Sequence, residues 1–328
     1  MTAPRAAGAV AVLGGTGCMG RHICAAFAAG GARVVAISRR RTPAVAPYRF
    51  LPMDAARCTA GELAAVLAAE EVGTVVNATL GWGRTKEEMD YTNVRLVERL
   101  LGALHGMADP PRLVHLGTIH EYGPAPDGTL IDEDTPPQPS TLYAQAKLTA
   151  SRMVLEAVRS GRLDGIVLRV TNTIGPHPAP ESFFGALAAR LRDSGATGGV
   201  ELTIADARRD YVDVRDAADA VVRAARSPYA DPLVNIGRGE ALHIRELVDA
   251  LVAATGLPKE SVRRRQGTVA GRSAGADWIR VDNSRARHLL GWRSRYSVDA
   301  SMRDLWNTVD AVSGPSATVP GGDAPRRR

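Results

Sequence analysis

Tyr143 and Lys147 stand four residues apart in the run Tyr-Ala-Gln-Ala-Lys, a spacing that puts both side chains on one face of a helix. A phenol beside an ammonium is a proton donor and acceptor whose pKa the cation lowers. Thr118 closes a strand-like run, Leu113 to Leu116, at the carboxyl edge where open α/β sheets take ligands. Hydroxyl, phenol and ammonium together make a proton relay for a carbonyl or alcohol. Tyr143 gives or takes the proton, Lys147 tunes it, and Thr118 hydrogen-bonds the same oxygen. An unperturbed phenol titrates near ~10, so acting as a base at neutral pH costs about 4 kcal/mol. Acting as an acid costs much less, which points towards carbonyl reduction. A Y-x-x-x-K spacing also recurs by chance on helix surfaces, and that is the competing reading.

Gly14-Gly15-Thr16-Gly17-Cys18-Met19-Gly20 lies between a strand-like and a helix-like run. Gly14 permits the tight turn, Gly17 lets a pyrophosphate reach the backbone at the positive helix end, and Gly20 lets helix and strand pack closely. Thr16, Cys18 and Met19 fill the loop. Glycines also serve ordinary turns, and the strand–turn–helix setting is what marks this one. After the second strand, where a carboxylate would hold the ribose 2′-hydroxyl of NAD, the chain has Ser38-Arg39-Arg40-Arg41. A hydroxyl with guanidinium groups suits a 2′-phosphate. The expected cofactor is NADP(H), held at this end by Ser38, Arg39 and Arg40, against the alternative of a solvated basic turn. Lys147 would also hold the nicotinamide ribose.

These residues need a parallel sheet covered by helices, and the pattern supplies one. Strands are predicted over Val10–Leu13, Arg33–Ile37, Phe50–Met53, Thr74–Ala78, Leu113–Leu116 and Ile166–Val170. Helices are predicted over Arg21–Ala29, Thr59–Glu70, Lys86–Leu104 and Leu142–Val158, with a proline-rich loop from Pro124 to Pro139. After Gly175-Pro176 the run His177-Pro178-Ala179-Pro180 breaks the regularity. A helix over Tyr211–Ala225 and a strand over Leu233–Ile236 are expected to return to the main sheet. The fold class is thus α/β: a Rossmann-type doubly wound parallel sheet over 1–175, which 211–240 is expected to rejoin. A smaller, interleaved substrate-binding domain comprises 176–210 and 241–313, and 314–328 forms a disordered tail.

Composition narrows the partners. The net charge is +6, but the arginines are scattered, without the aromatic-interleaved stripe or motif of a nucleic-acid binder. No apolar run approaches the roughly 20 residues of a membrane span, and Ala6 to Leu13 is too short for a signal-peptide core. Cys18, Cys24 and Cys58 form neither a disulfide framework nor a metal site. The expectation is a cytoplasmic enzyme without metal, nucleic-acid or membrane partners.

On these motifs the chain resembles the extended short-chain dehydrogenase/reductase family, in its nucleotide-sugar branch, from the glycine loop to about Trp306. Supporting motifs occur in family order: Asn93 in an N-V pair, Tyr122-Gly123 four residues beyond Thr118, Leu168-Arg169-Val170-Thr171-Asn172 running to Gly175-Pro176, Arg209-Asp210-Tyr211-Val212-Asp213-Val214, Asn235-Ile236-Gly237 and Leu289-Leu290-Gly291-Trp292. The resemblance implies that Asp54 meets the adenine and that Asn77, Ala78 and Thr79 pass the cofactor phosphates. It also places Asn93 and Val170 at the cofactor, and Asn172, Arg209 and Arg265 at the diphosphate of a nucleotide-sugar substrate. It further implies a homodimer in which Lys86–Leu104 and Leu142–Val158 form a four-helix bundle with their copies.

The departures set the reaction. Sugar 4,6-dehydratases of this family follow the threonine with Asp-Glu. Here Ile119-His120 intervene and Glu121 falls one place late, so dehydration is not expected. The acidic residue after the second strand that marks the NAD-retaining epimerases is missing too. The chain looks most like the 4-ketoreductases of nucleotide-linked 4-keto-6-deoxyhexoses, with thymidine as the expected base. The alternatives are an NAD-dependent nucleotide-sugar epimerase or epimerase/reductase, and a non-catalytic dinucleotide sensor, against which Tyr143 and Lys147 argue. His120 is read as a pocket residue rather than a second proton carrier, and His177 as packing in the substrate loop.

Overall fold

The computed structural model describes residues 8–81, 85–194, 200–228, 232–258, 262–267 and 276–309; the tail expected at 314–328 lies outside them. Among the described residues, seven parallel strands form the main sheet: β1 (Ala9–Leu13), β2 (Val34–Ser38), β3 (Arg49–Pro52), β4 (Val72–Asn77), β5 (Arg112–Thr118), β6 (Gly165–Val170) and, joined much later in the chain, β11 (Leu233–Ile236). Their spatial order is β11-β6-β5-β4-β1-β2-β3. The strand order reverses between β1 and β4, which opens a crevice at the carboxyl edge there.

Strands buried on both faces read as continuous apolar runs, and β1, Ala-Val-Ala-Val-Leu, is buried throughout. Its two faces feed two cores. Val10 and Val12 join Val114, Ile166 and Leu168 under α1 (Cys18–Ala29) and α7 (Val214–Arg226). Ala9, Ala11 and Leu13 join Val75, Leu113 and Val167 under α2 (Ala60–Ala69), α4 (Leu96–His105) and α5 (Leu142–Arg159).

A third core belongs to the remaining elements. These are α6 (Phe183–Ser194), α8 (Ile244–Thr255), α10 (Val298–Thr308), β8 (Val200–Ile204) and β13 (Val262–Gln266), packed through Phe184, Leu187, Leu202, Leu247, Leu251 and Leu305. Here β8 and β13 pair in parallel, β7 (Asn172–Ile174) pairs with β10 (Tyr211–Asp213), and β9 (Arg208–Arg209) pairs antiparallel with β12 (Leu242–His243). Trp292, fully buried after α9 (Ser284–Leu290), donates to the Asp216 carbonyl at 2.8 Å, and the Asp216 carboxylate accepts from Arg295 N and Tyr296 N. The Leu-Leu-Gly-Trp motif thereby fastens the C-terminal segment to α7. Among the described residues, no helix is long and apolar enough to cross a membrane.

The structure corrects two elements. The helix expected over Lys86–Leu104 starts as α3 (Lys86–Met89), widens into a π-helical stretch, Asp90–Arg95, and resumes as α4. Side chains cause the change: Thr92 Oγ1 donates to the Glu88 carbonyl at 2.8 Å and Asn93 Nδ2 to the Met89 carbonyl at 2.9 Å, competing with backbone donors four residues on. The helix expected over Tyr211–Ala225 begins as β10, because Asp213 caps α7 by accepting from Arg215 N at 2.8 Å, leaving Tyr211, Val212 and the cap residue itself extended.

Candidate active site

A cavity of about 1220 Å³ runs along the carboxyl edge of the sheet, between the main sheet and the third core. One end is the glycine loop. Gly14 has φ +79°, and a Cβ there would meet the Ala78 carbonyl and Thr79 Cα. A Cβ on Gly20 would stand 2.0 Å from the Gly14 carbonyl, so only glycine lets α1 approach β1. Gly17 caps α1 without a side chain, and the first turn carries no acid. The positive helix end is thus left to an anion. Thr16, Cys18 and Met19 line the wall beside it.

Ser38 ties this loop to β2 by accepting from Thr16 N at 3.4 Å. Ser38, Arg39 and Arg40 line the cavity, both arginines exposed at its mouth. Arg41 turns away to the Ala46 carbonyl. Asp54 lines the same end, its Oδ1 accepting from Ala56 N. A glycine cradle at a helix N-terminus, continuous with the exposed guanidinium groups of Arg39 and Arg40, fits a dinucleotide.

Two expected cofactor residues stand behind the wall rather than on it. Asn77 Oδ1 accepts from Thr79 N at 3.2 Å and Thr79 Oγ1 at 2.7 Å, and Ala78 and Thr79 are the residues at the cavity. Asn93 is buried behind Gly81, where a Cβ would come within 2.6 Å of its Nδ2.

Thr118, Tyr143 and Lys147 meet on the wall near Val170. Thr118 is the last residue of β5, and Thr141 starts α5 by accepting from Ala144 N, which places Tyr143 and Lys147 on the first turns. Lys147 is 4 % exposed and donates to the Leu116 carbonyl at 2.6 Å. Burial pushes its pKa down to about 8, against the pull of the Glu121 carboxylate. The ammonium therefore keeps most of its charge at neutral pH while standing in a dry setting where that charge acts strongly on a neighbouring phenol.

Glu121 is withdrawn from the cavity. It is fully buried and accepts from Thr118 N at 2.9 Å, Ser151 Oγ at 2.8 Å and Arg169 Nε at 2.8 Å. The carboxylates on the cavity wall are Asp54, at the loop end, and Glu181, exposed. Neither belongs to the stretch that carries Thr118.

At the other end, Asn172 accepts from His120 Nε2 at 3.2 Å and donates to the Asp210 carbonyl. Arg209 lines the wall and donates from Nε to the Ala276 carbonyl at 2.7 Å. Asp210, expected only as part of a motif, is a structural pin. It is fully buried, accepts from Arg238 N and Gly239 N at 2.8 Å, and burial raises its pKa to about 6. Arg265 is not brought to the site: it lies exposed on β13, ion-paired with Glu201 of β8.

The segment after β7 forms a strap across α1, with Pro176, Pro178 and Ala179 on the wall. His22 Nε2 donates to the Pro176 carbonyl at 3.0 Å, and burial pushes the His22 pKa down to about 4, so the ring is neutral. His177, at φ +53°, donates its N–H to Thr308 Oγ1 and lies 6.0 Å from the His22 ring. Sequence reasoning missed His22, since one polar residue on an amphipathic helix gives no signal of its own.

Residues 10–237 match the NAD dependent epimerase/dehydratase family. The chain belongs to that family. It is 42% identical over 313 residues to a dTDP-6-deoxy-L-talose 4-dehydrogenase (NAD(P)(+)) of Kitasatospora kifunensis, covering 93% of this chain and 97% of the relative. A UDP-glucose 4-epimerase of Azospirillum brasilense is 31% identical over 238 residues, 66% of each chain. Among solved structures, MoeE5 in complex with UDP-glucuronic acid and NAD superposes with a TM-score of 0.78 at 25% identity, over 92% of this chain and 98% of the other. Family membership makes the chain an enzyme of the NAD(P)-dependent sugar-nucleotide oxidoreductase/epimerase class, built on the Rossmann-type fold described above.

Proposed function

We propose that this enzyme uses NADP(H) to reduce the 4-keto group of a dTDP-linked 4-keto-6-deoxyhexose. The carrying observation is the wall beside Thr118. It presents Tyr143 and Lys147, while Glu121, the acid nearest in sequence, is held by Thr118 N, Ser151 and Arg169. That set serves proton transfer to one oxygen and lacks a second acid for expelling a hydroxyl. The Kitasatospora relative, named for oxidoreduction at position 4 of a dTDP-6-deoxyhexose, supports the substrate class. Ser38, Arg39 and Arg40, standing where a carboxylate would select NAD, support the phosphorylated cofactor.

Bound along Gly14–Gly20, the dinucleotide supplies the hydride. Ser38, Arg39 and Arg40 hold its 2′-phosphate, the first-turn N–H groups of α1 its pyrophosphate, and Lys147 its ribose. Thr118 and Tyr143 grip the substrate's C4 oxygen; Tyr143 donates its proton, and the Lys147 ammonium stabilises the phenolate left behind. Asn172 and Arg209 take the diphosphate. Arg265, ion-paired elsewhere, has no part in this arrangement. The functional unit is proposed to be a homodimer through α3–α4 and α5; Leu142, at the head of α5, is an exposed apolar side chain, 44% accessible.

The test is incubation with NADPH and dTDP-4-keto-6-deoxyhexoses. One NADPH oxidised per sugar reduced supports the proposal. Conversion of a 4-hydroxy sugar nucleotide to its epimer without net cofactor consumption overturns it in favour of an epimerase.

A further inference from the structure

We infer that His115 is a positioning residue for the dinucleotide: it fixes the amide of Asn77, and through it the backbone and hydroxyl of Thr79 on the cavity wall. The inference rests on the dinucleotide reading of the cavity given above. His115 sits in the middle of β5, directly across from Asn77 of β4, and is 1% exposed. Its neighbours Leu113, Val114 and Leu116 are apolar and buried, so packing alone asks for no imidazole here.

The hydrogen bonds run one way. Thr79 N and Thr79 Oγ1 both donate to Asn77 Oδ1, which fixes the amide with its NH2 group towards His115. Asn77 Nδ2 lies 3.1 Å from His115 Nδ1, so Nδ1 must accept and the ring proton resides on Nε2. A neutral ring is required, because a protonated one would set donor against donor. Burial, together with the Lys147 charge, holds the His115 pKa well below its usual value, in keeping with the neutral ring that the hydrogen bond requires. Nε2 is buried and has no partner among the described residues. The ring's hydrogen bond among the described residues is thus made through Nδ1.

Without an acceptor at Nδ1, the Asn77 amide either leaves a buried N–H unpaired or turns over. Turning it presents NH2 to the Thr79 N–H and O–H, and both lose their acceptor. Gly14 packs against Ala78 and Thr79 together: a Cβ on Gly14 would lie 3.0 Å from the Ala78 carbonyl oxygen and 3.1 Å from Thr79 Cα. Movement of Thr79 therefore reaches the glycine loop as well as the wall. Of the catalytic set, Lys147 meets this network through its charge on His115, while the hydrogen bonds of the network itself run from His115 through Asn77 to Thr79, so the larger effect falls on cofactor affinity.

The experiment is a titration of NADPH fluorescence on the full chain, with melting temperature recorded for each variant. His115→Leu weakens NADPH about tenfold, the effect of one buried hydrogen bond broken with a partner left unpaired. His115→Phe repeats the loss with the ring volume retained. His115→Asn, whose Oδ1 replaces the Nδ1 acceptor, recovers most of the affinity. In an Asn77→Ala background His115→Leu adds nothing further, because the coupling is already broken. In His115→Leu and His115→Phe the loss of NADPH affinity exceeds any loss of kcat at saturating NADPH. Native affinity in His115→Leu and His115→Phe overturns the inference, as does full additivity of His115→Leu with Asn77→Ala. Native protein that binds neither NADPH nor NADH overturns the dinucleotide reading itself, and this inference with it.

Discussion

Glu121, three residues beyond Thr118, is turned away from the cavity into a buried ion pair. Its carboxylate is fully buried and the Arg169 side chain is 3% exposed, with Nε–Oε2 at 2.8 Å; Arg169 also stacks over Tyr122 at 4.3 Å. Glu121→Gln keeps a carbonyl for Thr118 N and Ser151 Oγ, but turns an NH2 group on Arg169 and leaves that guanidinium uncompensated. Breaking a buried pair by removing one partner costs about 3–5 kcal/mol. At a few degrees per kcal/mol for a chain of this size, the melting temperature falls by roughly 10 °C. The catalytic side chains are kept, but Lys147 loses the carboxylate that holds its pKa up, so kcat, measured well below the melting point and on the acid side of neutrality where the ammonium persists, stays within about tenfold of native. Replacing both members, Glu121→Gln with Arg169→Leu, recovers part of the lost stability, because no buried charge is then left alone. Scanning fluorimetry and steady-state kinetics on the same preparations decide the matter. An unchanged melting temperature with kcat reduced a hundredfold would show Glu121 acting on substrate and would refute this reasoning.

Tyr143→Phe removes the proton donor and keeps the ring, so kcat falls by about 10²–10⁴-fold with little change in substrate KM; Thr118→Val loses less. The Arg39→Ala variant weakens NADPH about tenfold or more and leaves NADH nearly unaffected, read by titration of both cofactors. Lys147, with its pKa lowered to about 8, is charged below that pH and neutral above it. NADPH affinity therefore drops as pH rises through about 8, and Lys147→Arg, which stays protonated, abolishes that limb in a pH series of dissociation constants.

Much of the site was legible because its signals are local. A glycine turn, a basic triplet after a strand and a helical four-residue spacing each carry their reason in a few adjacent residues. Of the expected contacts, Gly14, Ser38, Arg39, Thr118, Tyr143, Lys147, Asn172 and Arg209 all reach one cavity. What stayed hidden depends on partners distant in sequence. Nothing near Arg265 shows that Glu201 waits on the neighbouring strand. Nothing near Glu121 shows that Arg169, 48 residues on, takes its charge. His115 reads as an oddity in an apolar strand until β4 brings Asn77 across from it. The fold followed from alternating strand and helix patterns. The errors came where side chains outcompete periodicity: Thr92 and Asn93 open the long helix into a π-turn, and the Asp213 cap delays α7 by three residues.

The central claim is that the enzyme delivers hydride from NADPH to C4 of a 4-keto-6-deoxyhexose while Tyr143 protonates the oxygen. NADPH carrying deuterium at both C4 positions of the nicotinamide, incubated with a dTDP-4-keto-6-deoxyhexose, tests it by mass spectrometry and NMR of the sugar. The account predicts one deuterium at sugar C4 per NADPH oxidised, and none at C3 or C5. Product without deuterium at C4, or a sugar altered while NADPH is left intact, contradicts it.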